Sequence, residues 1–439
     1  MKHECGILVL SLEQNIDKNS FIENLKKLEH RGRESFGIGY IKDGKLINQR
    51  YNYQVSNYKE KETHSLQKNA IGHVRYSTTT NKTNTDNIQP LKGHHGVLGE
   101  FLLVHNGNIP FIEFDDGKSD TYHLLDYIQN SKCLNYCTIL EMMIKEIKGV
   151  YCIALLDNKG SIYICRDSYG VRPYVIGYKN NNICVASESI CFPEEFTYSR
   201  EVVNGEILKI KDGRILHVSC HDYQKQFCSF EYIYFFRKDS MIGSRKIEEI
   251  RYQFGVALAS EEVNIVEDAI VVGAPNSGII SGKGFAKTLN LPYHQVMWKD
   301  NTCGRSFILP DQQSRINLLG KYMYYDKEKL KGCKLYLVDD SIVRGTTMKK
   351  FIETLRDIGV AEIHIRVASP PVRNPCYFGI DIPTSKNLVA GVKNVEEIRQ
   401  ELKCDSLKYL DIGIIKKVIG DPNMCTACFT GEYPKIYDW

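Results

Sequence analysis

No apolar run in this 439-residue chain approaches the ~18 residues of a membrane-spanning helix. The start, Met-Lys-His-Glu-Cys, has neither the apolar region of a secretory signal nor the Arg/Ser-rich character of a transit peptide. The expectation is a cytoplasmic protein with no membrane partner. Net charge is only +4, and Lys and Arg do not gather into a patch, so nothing supports nucleic-acid binding. There is no low-complexity linker and no internal repeat. One residue type is abundant: fifteen cysteines, too many for a reducing cytosol unless some bind metal or do chemistry. At roughly 100–200 residues per domain, the length gives two to four domains.

The richest stretch is Lys334-Leu335-Tyr336-Leu337-Val338-Asp339-Asp340-Ser341-Ile342-Val343-Arg344-Gly345-Thr346-Thr347. Leu335–Val338 reads as a short buried strand. Met348, Phe351, Ile352, Leu355 and Ile358 then recur at helical spacing, with Gly359 as a stop. Asp339 and Asp340 are thus expected at the carboxyl end of a strand, where open α/β sheets bind ligands. The small-residue loop opening the helix can wrap a phosphate with its N–H groups and hydroxyls. The Gly-x4-Gly-Lys spacing of a Walker A loop is absent from this segment. Carboxylates followed by a phosphate cradle suit a sugar phosphate, and the segment resembles the PRPP loop of type I phosphoribosyltransferases. That resemblance implies PRPP contacts from Asp339, Asp340, Ser341, Arg344, Gly345, Thr346 and Thr347. A second strand-to-turn segment, Ala269–Gly278, resembles the pyrophosphate-side loop of the same family. It implies Ser277 near a Mg²⁺ that Asp339 and Asp340 approach. Strand, turn and helix recurring around Asp339-Asp340 argue for a doubly wound sheet.

Cys5-Gly6-Ile7-Leu8-Val9-Leu10 reads as a buried strand beginning at a cysteine. Removal of Met1–Glu4 as a propeptide would make Cys5 the first residue, and its own α-amine, pKa ~8, its general base. Taken alone, Cys5 reads as a buried structural cysteine. Four further segments change this: His30-Arg31-Gly32-Arg33-Glu34-Ser35, Gly72-His73-Val74-Arg75-Tyr76, Val104-His105-Asn106-Gly107-Asn108 and Lys118-Ser119-Asp120-Thr121. With Cys5 they resemble the glutaminase domain of class II glutamine amidotransferases, the N-terminal nucleophile family. The resemblance implies Arg75 on the glutamine α-carboxylate, Asp120 on its α-ammonium, and an oxyanion hole from the Asn106 side chain and Gly107 N–H. His73 and His105 read as structural. Asn106-Gly107 by itself is an ordinary hairpin signal. Arg166–Pro173 and Val185–Ser189 also match the family and read as scaffold and domain contacts.

Cys425-Thr426-Ala427-Cys428 has metal-ligand spacing, and Cys376 and Cys228 stand in distinctive contexts, after Ser369–Pro375 and before Ser229–Phe235. All three contexts resemble the iron–sulfur branch of the glutamine PRPP amidotransferases. The resemblance implies a [4Fe–4S] cluster on Cys228, Cys376, Cys425 and Cys428. Spacing alone does not separate this from a Cys₄ zinc site.

The resemblance covers nearly the whole chain. It implies an α+β (αββα) glutaminase domain over residues 5–235, built as two antiparallel sheets between helix layers. An α/β phosphoribosyltransferase domain with a mostly parallel sheet follows over 236–439, ending in the iron–sulfur segment. The implied reaction is PRPP, glutamine and water giving 5-phosphoribosylamine, glutamate and pyrophosphate, with ammonia channelled between two sites. Purine nucleotides as inhibitors and a homo-oligomer are further implications. Residues 299–315, with Lys299, Arg305, Gln312 and Gln313, match the family's closing loop. The chain departs from the family at Arg33 (usually Gln), at Asn276 (usually Asp), at Lys299–Cys303 and in Leu318–Tyr325, which lacks the expected basic pattern. These departures leave open a relative using another phosphorylated sugar acceptor. A non-catalytic PRPP-sensing protein is the alternative from another class.

Overall fold

The computed structural model describes residues 5–59, 65–76, 85–110, 118–221, 223–299, 323–380, 382 and 384–434. The expected propeptide, the loop residues Arg305, Gln312 and Gln313, and most of 299–325 lie outside them.

Two antiparallel sheets stack face to face in the N-terminal half. The seven-stranded sheet runs Thr197–Glu201, Val175–Lys179, Asn182–Ala186, Gly6–Ser11, Asn69–Arg75, Ser35–Lys42, Lys45–Tyr51. The six-stranded sheet runs Arg214–Cys220, Glu206–Lys211, Ile162–Arg166, Val150–Asp157, Gly99–Asn108, Leu91–His95. Gly6–Ser11 is apolar almost throughout because both of its faces are covered, and every residue in it is buried. On the inner face Ile7 and Val9 meet Leu102, Val104 and Ala154 of the other sheet. On the outer face Leu8 meets Phe21 and Leu25 of the helix Lys18–Lys26. The helices Asp120–Asn130 and Tyr136–Glu146 cover the far side of the six-stranded sheet through Leu124, Ile128, Ile139 and Met143. Four layers, αββα, result, as the N-terminal nucleophile resemblance implies.

The second half is built on four parallel strands in the order Ala269–Gly273, Lys334–Asp339, Glu362–Val367, Ser406–Tyr409. Helices lie on both faces: Phe254 and Phe285 pack on one, Phe351, Ile352, Leu355 and Ile398 on the other. The expected helix after the Asp339-Asp340 loop spans Thr346–Ile358, with Met348, Phe351, Ile352 and Leu355 buried. Gly359 ends it at φ 96°, its N–H bonded to Arg356 and Leu355 carbonyls, the left-handed cap that glycine adopts at least cost.

The halves are not separately cored. One apolar cluster runs from Leu8 and Phe36 through Phe227, Phe230 and Phe235 to Val271 and Val338. Glu231–Phe235, just before the expected boundary at 235/236, is a buried π-helical turn inside that cluster. No helix among the described residues is long and apolar enough to cross a membrane.

Candidate functional site

The Cys5 thiol lies at the head of the Gly6–Ser11 strand, with Sγ 3.6 Å from the Tyr76 carbonyl. Burial pushes its pKa up to about 11, partly offset by a Tyr76 backbone hydrogen bond and the Arg75 charge. Asp120 and Glu34 push it further up. The charges of Arg75 and Asp120, expected to grip glutamine, thus both reach this sulfur. Arg75 ends the neighbouring strand Asn69–Arg75, and its backbone leaves no room for a side chain at Gly32. Asp120 opens a helix and accepts from Ile109 N–H at 3.0 Å.

Asn106 and Gly107 are not a hairpin turn. They lie inside the strand Gly99–Asn108, paired with Cys152 and Tyr151. Asn106 is buried, and its Nδ2 donor has no hydrogen-bond partner among the described residues. A buried amide left unsatisfied costs about 1–3 kcal/mol, which fits a donor reserved for a ligand. Any side chain at Gly107 would collide with the Val150 carbonyl oxygen. His73 and His105 are held neutral: burial lowers both, His73 to about 3. His73 Nε2 meets the His105 carbonyl at 3.1 Å, and the His105 N–H donates to Gln89 Oε1 at 2.6 Å. They are struts of this strand rather than proton carriers.

At the carboxyl end of the parallel sheet, two loops meet. Ser277 Oγ donates to Asp340 Oδ1, and Ser341 Oγ donates to Asp340 Oδ2 at 2.8 Å. Asp340 N–H donates to Asp339 Oδ1 at 2.9 Å. Burial, then the Asp340 charge, pushes the Asp339 carboxyl well above the usual range. A carboxylate pair so placed is short of positive charge, and with the Ser277 hydroxyl offers the oxygen donors a Mg²⁺ takes. Gly278 sits where a side chain would strike the Val338 carbonyl oxygen, so glycine lets the loops close on each other. Asn276 follows Pro275 through a cis peptide. Gly345 turns at φ 76° into the Thr346 helix, and Arg344 Nε has no partner.

Cys228, Cys376, Cys425 and Cys428 line one small pocket together with Val171, Arg172, Phe378, Ile380, Ile382, Ala427 and Tyr433. All four are free thiols. Burial raises Cys228, Cys425 and Cys428, and each of these also feels the charge of other members of the four. The Phe378 N–H points at Cys376 Sγ, 3.4 Å away. Among the described residues, no His, Cys, Asp or Glu group is drawn round a single point as a lone metal ion requires. An apolar, thiol-lined pocket with an N–H directed at sulfur is a fitting place for four thiolates to hold a cluster.

Residues 73–194 match the glutamine amidotransferase domain family model. The amidophosphoribosyltransferase of Pyrococcus horikoshii is 35% identical over 99% of this chain and 97% of its own length. That of Bacillus subtilis is 33% identical over 100% and 95%. This chain belongs to the amidophosphoribosyltransferase family. Among solved structures, the B. subtilis glutamine PRPP amidotransferase complexed with ADP and GMP superposes with a TM-score of 0.87. It is 32% identical and covers 99% of this chain and 98% of that one. A structure described as the allosteric regulatory enzyme of purine biosynthesis gives 0.88, also at 32% identity, over 99% and 97%.

An amidophosphoribosyltransferase built this way has a layer of site residues that motif reading does not single out. Arg31 Nε donates to the Cys5 carbonyl at 3.3 Å, while its Nη2 meets Glu231 at 2.7 Å and its Nη1 meets Glu188 at 2.5 Å. Arg31, Glu188 and Glu231 have wholly buried side chains. The only signal for them in the sequence is a charged residue inside an otherwise family-like segment.

Proposed function

We propose that this chain makes 5-phosphoribosylamine from PRPP and glutamine. The observation that carries the reading is that one chain holds both halves of the chemistry. A part-buried cysteine feels the charges of Arg75 and Asp120, and the same half carries the unsatisfied Asn106 amide. An Asp339-Asp340 loop stands at the carboxyl ends of parallel strands.

In the first half, Arg75 takes the glutamine α-carboxylate and Asp120 its α-ammonium. A thiol pushed to about 11 is protonated at neutral pH, so it needs a base. Removal of Met1–Glu4 frees the Cys5 α-amine, pKa ~8, for that role. The thiol proton passes to the amine, Sγ bonds the amide carbon, and the oxyanion rests on Asn106 Nδ2 and Gly107 N–H. Collapse breaks the C–N bond. The amine hands its proton to the departing ammonia, leaving a thioester that water hydrolyses to glutamate.

In the second half, the loop Ser341–Thr347 takes the PRPP 5′-phosphate and Asp339 and Asp340 the ribose hydroxyls. Ser277, Asp339 and Asp340 would hold a Mg²⁺, which supplies charge to offset the departing pyrophosphate. Ammonia attacks C1, the C1–O bond to pyrophosphate breaks, and the extra proton leaves to solvent. The four cavity cysteines would hold a [4Fe–4S] cluster in a structural role. Inhibition by purine nucleotides is supported by the ADP and GMP bound to the B. subtilis enzyme. A homo-oligomer completes the reading.

The test is an anaerobic PRPP-dependent glutaminase assay with pyrophosphate detection. Equal glutamate and pyrophosphate are expected. Glutamate without pyrophosphate overturns the reading in favour of another acceptor.

A further inference from the structure

One four-residue segment of the transferase half, Cys376–Gly379, touches the supports of both catalytic elements of the glutaminase half. Asn108 Nδ2 donates to the Tyr377 carbonyl at 2.8 Å. Asn108 is the last residue of the strand that carries Asn106 and Gly107, and its pairing with Val150 is the final rung of that ladder. Beyond it the sheet offers no further hold. Gly379, at φ 103°, lies directly over the same strand: a methyl there would stand 3.2 Å from the Gly107 carbonyl oxygen. Between these contacts, Arg172 Nε donates to the Phe378 carbonyl at 2.8 Å. Arg172 Nη1 lies 3.6 Å from Glu231 Oε1, the oxygen that Arg31 Nη2 holds at 2.7 Å, and Arg31 Nε reaches the Cys5 carbonyl. The route from Phe378 to Cys5 runs through three wholly buried charged side chains.

We propose that Cys376–Gly379 is a latch by which the transferase half sets the geometry of the glutaminase oxyanion hole, with Asn108 and Arg172 as positioning residues. The physical reason is tolerance. An oxyanion donor acts only when held within about 0.5 Å of its productive place. Gly107 N–H lies one residue from the strand end, past which strand pairing stops and Ile109 N–H turns to Asp120. The Asn108–Tyr377 bond and the Gly379 contact replace the missing rung. The same segment begins with one of the four cavity thiols, so the latch and that cavity share a backbone. Neither Asn108 nor Arg172 has a role in the chemistry itself; each acts through its neighbour. This inference rests on Cys5, Asn106 and Gly107 being the glutaminase machinery.

The experiment uses the full-length chain purified anaerobically, with Asn108→Ala, Asn108→Ser, Gly379→Ala and Cys5→Ala. Asn108→Ala is expected to lower kcat for glutamine hydrolysis about 10- to 100-fold, the cost of an ångström-scale misplacement. Glutamine KM stays within about threefold, since Arg75 and Asp120 are untouched, and the rate of Cys5 alkylation by iodoacetamide is unchanged. Amide exchange in 104–109 is faster than in the parent. Asn108→Ser, which keeps a donor, recovers part of kcat. Gly379→Ala, strained by its φ of 103° as well as by the Gly107 carbonyl, gives a kcat loss at least as large, and Asn108→Ser decides the matter if Asn108→Ala does not fold. Parent-like kcat in folded Asn108→Ala overturns the latch. So does a joint loss of kcat, KM, alkylation and thermal stability, which marks a merely structural contact. Cys5→Ala separates the two readings: if it retains glutaminase activity, the nucleophile assignment itself fails, whereas an inactive Cys5→Ala beside an active Asn108→Ala removes only the latch.

Discussion

His30 Nε2 stands 2.6 Å from Glu188 Oε1, and both side chains are buried. The same oxygen meets Arg31 Nη1, while Oε2 accepts from Arg237 N–H and Ser240 Oγ. Burial alone would raise this carboxyl. His30 and Arg31 more than offset it and hold the group far below the usual carboxylate range. A depressed carboxyl gives stability that is complete above its unfolded pKa, ~4.3, and is lost as pH falls toward the folded value. Glu188→Gln is expected to cost about 3 kcal/mol, because His30 and Arg31 lose a buried charge partner and Arg31 keeps only Glu231. Denaturant unfolding at pH 7 measures this. The gap between parent and variant should narrow below pH 4.

A chain that keeps Met1–Glu4 is expected to be a poor thiol reagent. With a pKa of about 11, roughly one part in a thousand of Cys5 is thiolate at pH 8. Its alkylation should climb about tenfold per pH unit up to about pH 11. The processed chain, carrying an α-amine of pKa ~8, should instead level off above that pH. Mass spectrometry of the mature N-terminus, paired with iodoacetamide kinetics, checks both.

Asn106→Ala removes a buried donor that no group among the described residues uses. The expected loss is about 100- to 1,000-fold in glutaminase kcat with little change in KM. Arg75→Gln should do the opposite, raising glutamine KM at least tenfold by deleting a charge-assisted pair. Steady-state glutamate release separates the two patterns.

Asp340→Asn should uncouple the two halves. Ser277 and Ser341 keep a hydrogen-bonding neighbour, but one negative charge is gone from the strand end. Pyrophosphate release should fall about 100-fold or more while glutaminase activity stays measurable. Parallel assays of pyrophosphate and glutamate decide it.

The cysteine cavity makes a prediction about colour. Anaerobic protein should be brown and carry about four irons per chain, and Cys425→Ser should lose most of them. A colourless parent with one zinc would replace the cluster by a Cys₄ zinc site.

The strand Lys334–Asp339 and its following helix were legible because period and punctuation agreed: an apolar run, two acids, then a 3.6-residue stripe closed by Gly359. The strand from Gly6 was legible for the same reason. Asn106-Gly107 reads locally as a turn, and only its pairing with Val150–Asp157, more than forty residues on, makes it strand. The buried charges were the least legible. Arg31 meets Glu188 across 157 residues and Arg172 meets Phe378 across 206, and a sequence gives no sign that an arginine is wholly enclosed. Arg305, Gln312 and Gln313 fall outside the described residues, so their expected part in loop closure stays an expectation.

Ser229 donates to the Cys425 carbonyl across 196 residues of chain. Contacts of such separation form late in folding, after local elements and nearer pairings. The four thiols come from both halves of the chain, so they meet only where those halves pack together. Whatever centre they hold ties the two halves to one another. Its occupancy reports on folding history: a chain arrested at either half presents scattered thiols and no cavity to receive it.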